Sequence, residues 1–330
     1  MPDRFRASVS FIGFTGGCRE SVPRSPLTIA GRLHYAASMH LLLPLLASVL
    51  LVCGLILIKR AGELGATTVT TLFLTNVCSS FAFSFLWLFG GSGQPLVMLW
   101  QPAVIAALFW MGLTFTYLAI ERGDVSIATP VLGVKVVFVA ILVTSVGGEA
   151  LPRSVWIAAV LAASGIGLIQ WTGRGEPRAA LMTIGLASCA AGSFATFDVL
   201  VQSWAPNWGA GRILPIAYWF VGLSTLALIP WVDWSNLKQP KVRNRLVPGA
   251  ALVALQAICI VVAVGVFGDA VRVNVIYALR AFWGVALAWS AAKIWGGVEA
   301  DHGNKVMLTR AFGACLLTAA VVMAVLSQAN

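Results

Sequence analysis

Ten apolar stretches of roughly 20 residues, each with few or no charges, follow one another along the chain from Met39 onward. They centre near Ser48, Cys78, Ala107, Val137, Ala163, Cys189, Val221, Ile258, Ala286 and Leu316. A helix rising ~1.5 Å per residue needs about that length to cross ~30 Å of hydrocarbon. Hydrophobic residues make up 59% of the chain and charged ones only 10%, with a mean hydropathy of +0.89, which is more apolar surface than one soluble core could cover. The shorter alternating segments of a membrane barrel are not visible. The expected class is therefore an all-α integral membrane protein of about ten transmembrane helices. The polar breaks are too short to fold as a separate soluble domain, so the protein acts within or across a bilayer, with the bacterial inner or plasma membrane as the expected location.

Residues 1–38 differ from the rest. They are polar, carry Arg4, Arg6, Arg19, Arg24 and Arg32, and lack the apolar core of a secretory signal. Met39 stands directly before the first span, so the expectation is a polar extension that is either disordered or, if translation starts at Met39, not translated. The net charge of +10 is read through loop topology, with no nucleic-acid partner expected. From Met39 onward, breaks after odd-numbered spans hold ten Lys or Arg: Lys59, Arg60, Arg122, Arg174, Arg178, Lys238, Lys241, Arg243, Arg245 and Lys305. Those after even-numbered spans hold three, Arg153, Arg212 and Arg272. That bias puts both termini outside; counting the five N-terminal arginines removes it, and the orientation stays open.

Two spans carry a cation near their middle, Lys135 in the fourth and Arg280 in the ninth. Such a charge costs at least ~2.5 to 3.5 kcal/mol on insertion scales, so it normally faces a cavity or a partner. The cations are 145 positions apart, 280 minus 135, and each lies eleven residues beyond a Gly-Asp pair, Gly123-Asp124 and Gly268-Asp269. Phe138 and Trp283 pair at the same offset. The implied unit is a five-helix repeat over 39–173 and 179–327. An odd number of helices inserts the second copy upside down, the scaffold of alternating-access transporters that bind substrate at the repeat interface.

The neighbouring residues suit a site. Pro130, next to Thr129, removes a backbone donor, and Gly133 loosens the same turn, which is tolerated at membrane depth where backbone lines a cavity. Asn274 and Tyr277 supply polar groups in the second copy, Tyr277 three residues from Arg280 on one helical face. Phe138 and Trp283 can form walls or cation-π contacts. The competing role is structural: Asp198, the only acid inside a span, can pair with one cation and pin helices together, or act in coupling, but it cannot neutralise two. The expected substrate-binding set is Lys135, Arg280, Tyr277, Asn274, Thr129, Phe138 and Trp283, with Asp198 and Pro130 as structural or coupling residues.

Other features carry less. Five of six cysteines lie inside spans, and His34, His40 and His302 are peripheral and scattered, so no disulfide framework, metal site or cofactor is expected. Ser188, Gly192 and the run AASGIG ending at Gly167 suit close helix packing. Trp100, Trp171, Trp204 and Trp234 fit interfacial anchors, while Trp110 and Trp219 fall deeper.

Ten short-looped spans, the segment YLAIERGDVSIATPVLGVKVVFVAILVTSVGGE and its partial echo in the second half resemble the EamA-type transporters of the drug/metabolite transporter superfamily. The resemblance covers about residues 39–327. A glycine-glutamate step after spans four and nine is matched by Gly148-Glu149 and, with one inserted residue, by Gly297 and Glu299. Where many members show glutamate followed by proline, this chain has Lys135-Val136 and Arg280-Ala281, reversing the charge of the cavity. Cations in these helices are reminiscent of the sugar-phosphate translocator branch, which carries anions. Members are usually described with cytoplasmic termini.

The expected function is a secondary transporter or exchanger, not an enzyme, of a small anionic metabolite: an organic acid, an amino acid held by its carboxylate, or a phosphorylated compound. Its partners are that molecule and the lipid bilayer. The alternatives are a membrane-embedded lipid- or polyprenyl-modifying enzyme, disfavoured by the single intramembrane acid and peripheral histidines, and a structural or sensory membrane protein. No GxxxxGK[ST] loop is present for nucleotide-driven transport.

Overall fold

The computed structural model describes residues 26–121, 131–145, 148, 150–170, 177–283 and 304–326. By contacts the chain divides into two units, Met1–Ser38 and Met39–Asn330. Among the described residues of the second unit every regular element is a helix. With no water to satisfy N–H and C=O groups in hydrocarbon, helices are how such apolar sequences close their own backbone bonds.

The helices are α1 (Pro26–Glu63), α2 (Thr68–Ser84), α3 (Trp100–Glu121), α4 (Lys135–Ser145), α5 (Arg153–Gln170), α6 (Pro177–Trp208), α7 (Ala210–Thr225), the single turn α8 (Trp234–Leu237), α9 (Pro240–Phe267), α10 (Ala270–Tyr277) and α11 (Asn304–Leu326). Short 3-10 segments extend α2 (Phe85–Phe89) and α7 (Leu226–Trp231) and precede α3 (Leu96–Leu99). α1 starts at Pro26, upstream of the first apolar span.

Among the described residues six helices are long and apolar enough to cross a membrane: Leu41–Glu63, Thr68–Phe89, Leu96–Thr116, Leu181–Trp208, Ala210–Trp231 and Pro240–Phe267. Three shorter apolar helices, Val131–Ser145, Arg153–Leu168 and Phe312–Ala324, fall at the fourth, fifth and tenth expected spans. Most of the ninth span, beyond Trp283, lies outside the described residues.

Local chemistry sets the ends. Thr67 caps α2, its Oγ1 accepting from Thr70 N–H at 3.2 Å. Pro240 opens α9 in its first turn, where a missing N–H costs nothing. Gly268 closes α9 in the left-handed region, φ +66°, and Asp269 then caps α10 by accepting from Arg272 N–H at 3.1 Å. The chain thus turns from α9 into α10 within two residues.

α6 is the central helix, packing on α3, α4, α9 and α10, while α2 meets α7 and α9, and α5 lies along α11. Small residues fill the seams, including Ala190, Ala191, Ala195, Ala257 and Ala263. In the AASGIG run it is Gly165 that makes the close contact, against the α11 backbone at Gly313 and Leu317, whereas Gly167 and Gly192 face open space. Exposed Phe81, Leu88, Leu223 and Phe312 give the outside of the bundle an apolar coat.

Candidate functional site

Inward-facing polar groups of α4, α6, α9 and α10 meet one another. Lys135 Nζ lies 2.7 Å from Asp198 Oδ2, with side chains 11% and 4% exposed. Asn274 Nδ2 donates to the same carboxylate oxygen and also to the carbonyl of Ala270, at 2.8 Å for the latter. The ion pair thus joins α4 to α6, and the asparagine ties α10 to both.

Arg280 follows α10. Its guanidinium sits over the Tyr277 ring, 4.5 Å from the centroid, as a cation-π contact. Tyr277 in turn donates its hydroxyl proton to Gln256 Oε1 of α9 at 2.7 Å. Among the described residues no carboxylate pairs with Arg280.

Both cations stand directly after an interruption in their helix. Val134 N–H donates to Val131 C=O at 3.0 Å, and Leu279 N–H donates to Ile276 C=O at 3.1 Å, three-residue closures in place of the four-residue α pattern. α-type closure resumes with Phe138 N–H to Val134 C=O and Trp283 N–H to Leu279 C=O. Gly133 presses against Ile166 at the first interruption.

An aromatic chain runs from Lys135 into the bundle. The Phe194 ring lies 5.8 Å from Lys135 Nζ, Phe109 packs on Phe194 at 6.3 Å, and Tyr218 on Phe109 at 5.1 Å. Phe83 stacks on Tyr218 with centroids 3.5 Å apart and planes within 9°. The Tyr218 hydroxyl is buried and has no hydrogen-bond partner among the described residues.

A cavity of about 280 Å³ opens beyond this cluster, lined by Gln202, Phe267, Asp269, Arg272 and Pro152 among others. Gln202 is one helical turn beyond Asp198, and Ala270 one turn before Asn274. Ala270 N–H donates to Gln202 Oε1 at 2.9 Å while its carbonyl accepts from Asn274. Hydrogen bonds therefore link the cavity wall to Asp198 and, through it, to Lys135.

Of the residues singled out from sequence, Lys135, Asp198, Asn274, Tyr277 and Arg280 converge. The cation-π partners are Phe194 and Tyr277, not Phe138 and Trp283; Phe138 packs on the core, and Trp283 stands edge-on to Phe282 at 5.1 Å. Helical side chains lean toward the N-terminus, so Arg280 reaches back over Tyr277, three residues before it, and not forward to Trp283. Thr129 and Pro130 lie outside the described residues, as do Gly123, Asp124 and Glu149. Trp110 and Trp219 are helix ties, their Nε1 groups donating to Ser224 at 2.6 Å and Ser84 at 2.8 Å. Tyr218, Gln256 and Gln202 were missed. Each is a polar side chain within an apolar span, which was the available signal.

No protein-family model matches this chain, and no curated protein matches it. A solved structure described only as "Crystal structure of protein" is similar in fold, with a TM-score of 0.65 at 16% identity over 88% of this chain and 97% of that one.

Proposed function

We propose that the protein is a multi-pass secondary transporter of a small anionic metabolite, working by alternating access on two inverted five-helix repeats, as its resemblance to EamA-type transporters implies. The observation that carries this reading is the pair of mid-span cations, each set directly after a helix interruption and both facing one buried polar cluster. Charge at that depth is retained for a ligand or a partner. Only one of the two has an acid among the described residues.

Several correspondences support the repeat. The interruptions at Val134 and Leu279 are 145 apart, 279 minus 134, the offset of the cations themselves, and the carbonyls that close them, Val131 and Ile276, keep it. α1 ends at Glu63 and α6 at Trp208, again 145 apart, 208 minus 63. Exchanging the copies maps α3 on α7 to α9 on α2, and α4 on α5 to α10 on α11, both of which are packed pairs. It also maps α3 on α6 to α9 on α1, where a Cβ added at Gly54 would lie 3.0 Å from the Gly249 carbonyl. The cavity beside Gln202 is tied to the cluster by the hydrogen bonds of Ala270 with Gln202 and Asn274, which supports access to the site from that side.

A thermal-shift screen of anionic, zwitterionic and cationic metabolites finds the class that binds, and uptake of the stabilising compound into proteoliposomes tests transport. Anions stabilise the protein, and Arg280→Gln, which leaves the Lys135–Asp198 pair in place, abolishes uptake while the protein stays folded. Undiminished transport by this variant, or stabilisation by cations alone, refutes the reading.

A further inference from the structure

We infer that the central site is matched to a substrate bearing one negative charge, with Arg280 as its counter-ion and the Lys135–Asp198 pair left intact beside it. This rests on the anion reading and narrows it to monoanions, of which a monocarboxylate is the simplest.

Charges buried in so dry a place must balance. Of the chain's 12 acids, Asp198 alone falls inside an apolar span, and it is committed to Lys135 at 2.7 Å and to Asn274. Lys135 and Asp198 therefore sum to zero. Among the described residues Arg280 has the Tyr277 ring and phenol against it, neutral partners that orient a cation without cancelling it. The cluster as a whole carries +1. A monoanion brings it to zero, a dianion leaves −1, and a neutral or zwitterionic molecule leaves +1. Each uncompensated charge in such surroundings is expensive.

The asymmetry is written in the repeat. Stepping back 145 positions from Asp198, 198 minus 145, lands on Cys53 of α1, so the first copy offers an uncharged thiol where the second offers an acid. Had that position been acidic, Arg280 would have had a partner equivalent to that of Lys135, and the site would have been neutral without ligand. The flanking Phe194, Phe109 and Tyr218 rings add an apolar surface suited to the hydrocarbon part of such a molecule, and the unpartnered Tyr218 hydroxyl offers it a hydrogen bond.

The test is calorimetric binding to the purified full chain at pH 8 of probe sets differing by one carboxylate: propionate with succinate, and benzoate with phthalate, with propionamide and benzamide as neutral controls. Wild-type protein is expected to prefer the monoanion of each pair at least about tenfold, since a buried unpaired charge exceeds the 1.4 kcal/mol that tenfold represents. Asp198→Asn raises the site to +2 and is expected to move the preference toward the dianion by at least a further ~10-fold. Lys135→Gln combined with Asp198→Asn returns the site to +1 and restores the monoanion preference, which also serves if the single variant fails to fold. Equal affinity for both members of each pair, unmoved by these substitutions, overturns single-charge matching while leaving an anion site. If no anion binds wild-type protein, the anion reading falls and this inference with it.

Discussion

Lys135 Nζ and Asp198 Oδ2, 63 positions apart in sequence, 198 minus 135, lie 2.7 Å from each other in the middle of the helix bundle. Neither can lose its partner cheaply. Replacing Asp198 by Ala is expected to destabilise the protein by about 3–5 kcal/mol, because the ammonium is left buried and unpaired. Replacing the pair together, Lys135→Met with Asp198→Leu, should recover most of that loss. Denaturation of the wild type and the two variants in detergent measures the difference, and equal losses for the single and double replacements would show that the pair is not coupled.

Tyr218 is 1% exposed, and its hydroxyl finds no partner among the described residues. Removing an unpaired buried polar atom relieves a desolvation cost, so Tyr218→Phe should leave stability unchanged or raise it by up to about 1 kcal/mol. If the hydroxyl serves the ligand, the same change weakens binding of the monoanion found in the screen by roughly tenfold. A stability loss above 1 kcal/mol would mean that the hydroxyl has a protein partner after all.

A Cβ added at Gly165 would lie 2.8 Å from the Gly313 carbonyl and 2.9 Å from Leu317 N, backbone atoms that cannot swing aside. Gly165→Ala should therefore push α5 from α11 and cost about 1–3 kcal/mol. Gly167→Ala, two residues on and facing open space, should cost nothing and could add a few tenths of a kcal/mol through helix propensity. Paired melting curves decide this, and an equal response from the two glycines would contradict the packing.

Asp233, in the loop before α8, is held below the usual carboxylate range by the Ser235 hydroxyl and the Asn236 N–H, which donate to it at 2.6 and 3.0 Å. A depressed folded-state pKa contributes stability that is present above the ordinary value of about 3.9 and lost as pH falls through the lower folded value. The α8 cap is therefore complete at neutral pH and opens only in acid. Carbon-13 NMR of the Asp233 carboxyl should titrate below about 3.9, and Ser235→Ala should move it upward. No movement would mean that the hydroxyl bond does not form.

Much of the fold was legible from sequence because the bilayer imposes one strong rule. A run of about 20 apolar residues must be helical to satisfy its own backbone, so α2, α3, α6, α7 and α9 fall at expected spans. Lys135 and Arg280 were legible for the related reason that charge is conspicuous at that depth. Their surroundings were less so. Phe194 and Phe109, which continue the site from Lys135, look like any other core aromatic in a chain so rich in apolar residues. Gln256 and Gln202 gained meaning only from Tyr277 and Ala270, which reach them across helix boundaries.

The sequence by itself determined the helical class, the depth of the two cations, and that Asp198 is the one acid available to them, since hydropathy and charge are properties of local stretches. Tertiary structure decided which cation takes that acid. Lys135 and Arg280 are equivalent by offset and by helix interruption, and the choice depends on α4, not the Arg280 turn, presenting its cation to Asp198 on α6. Packing separates the two, leaving Arg280 over Tyr277 as a cation without a described counter-charge, and no count along the chain could have assigned it that role.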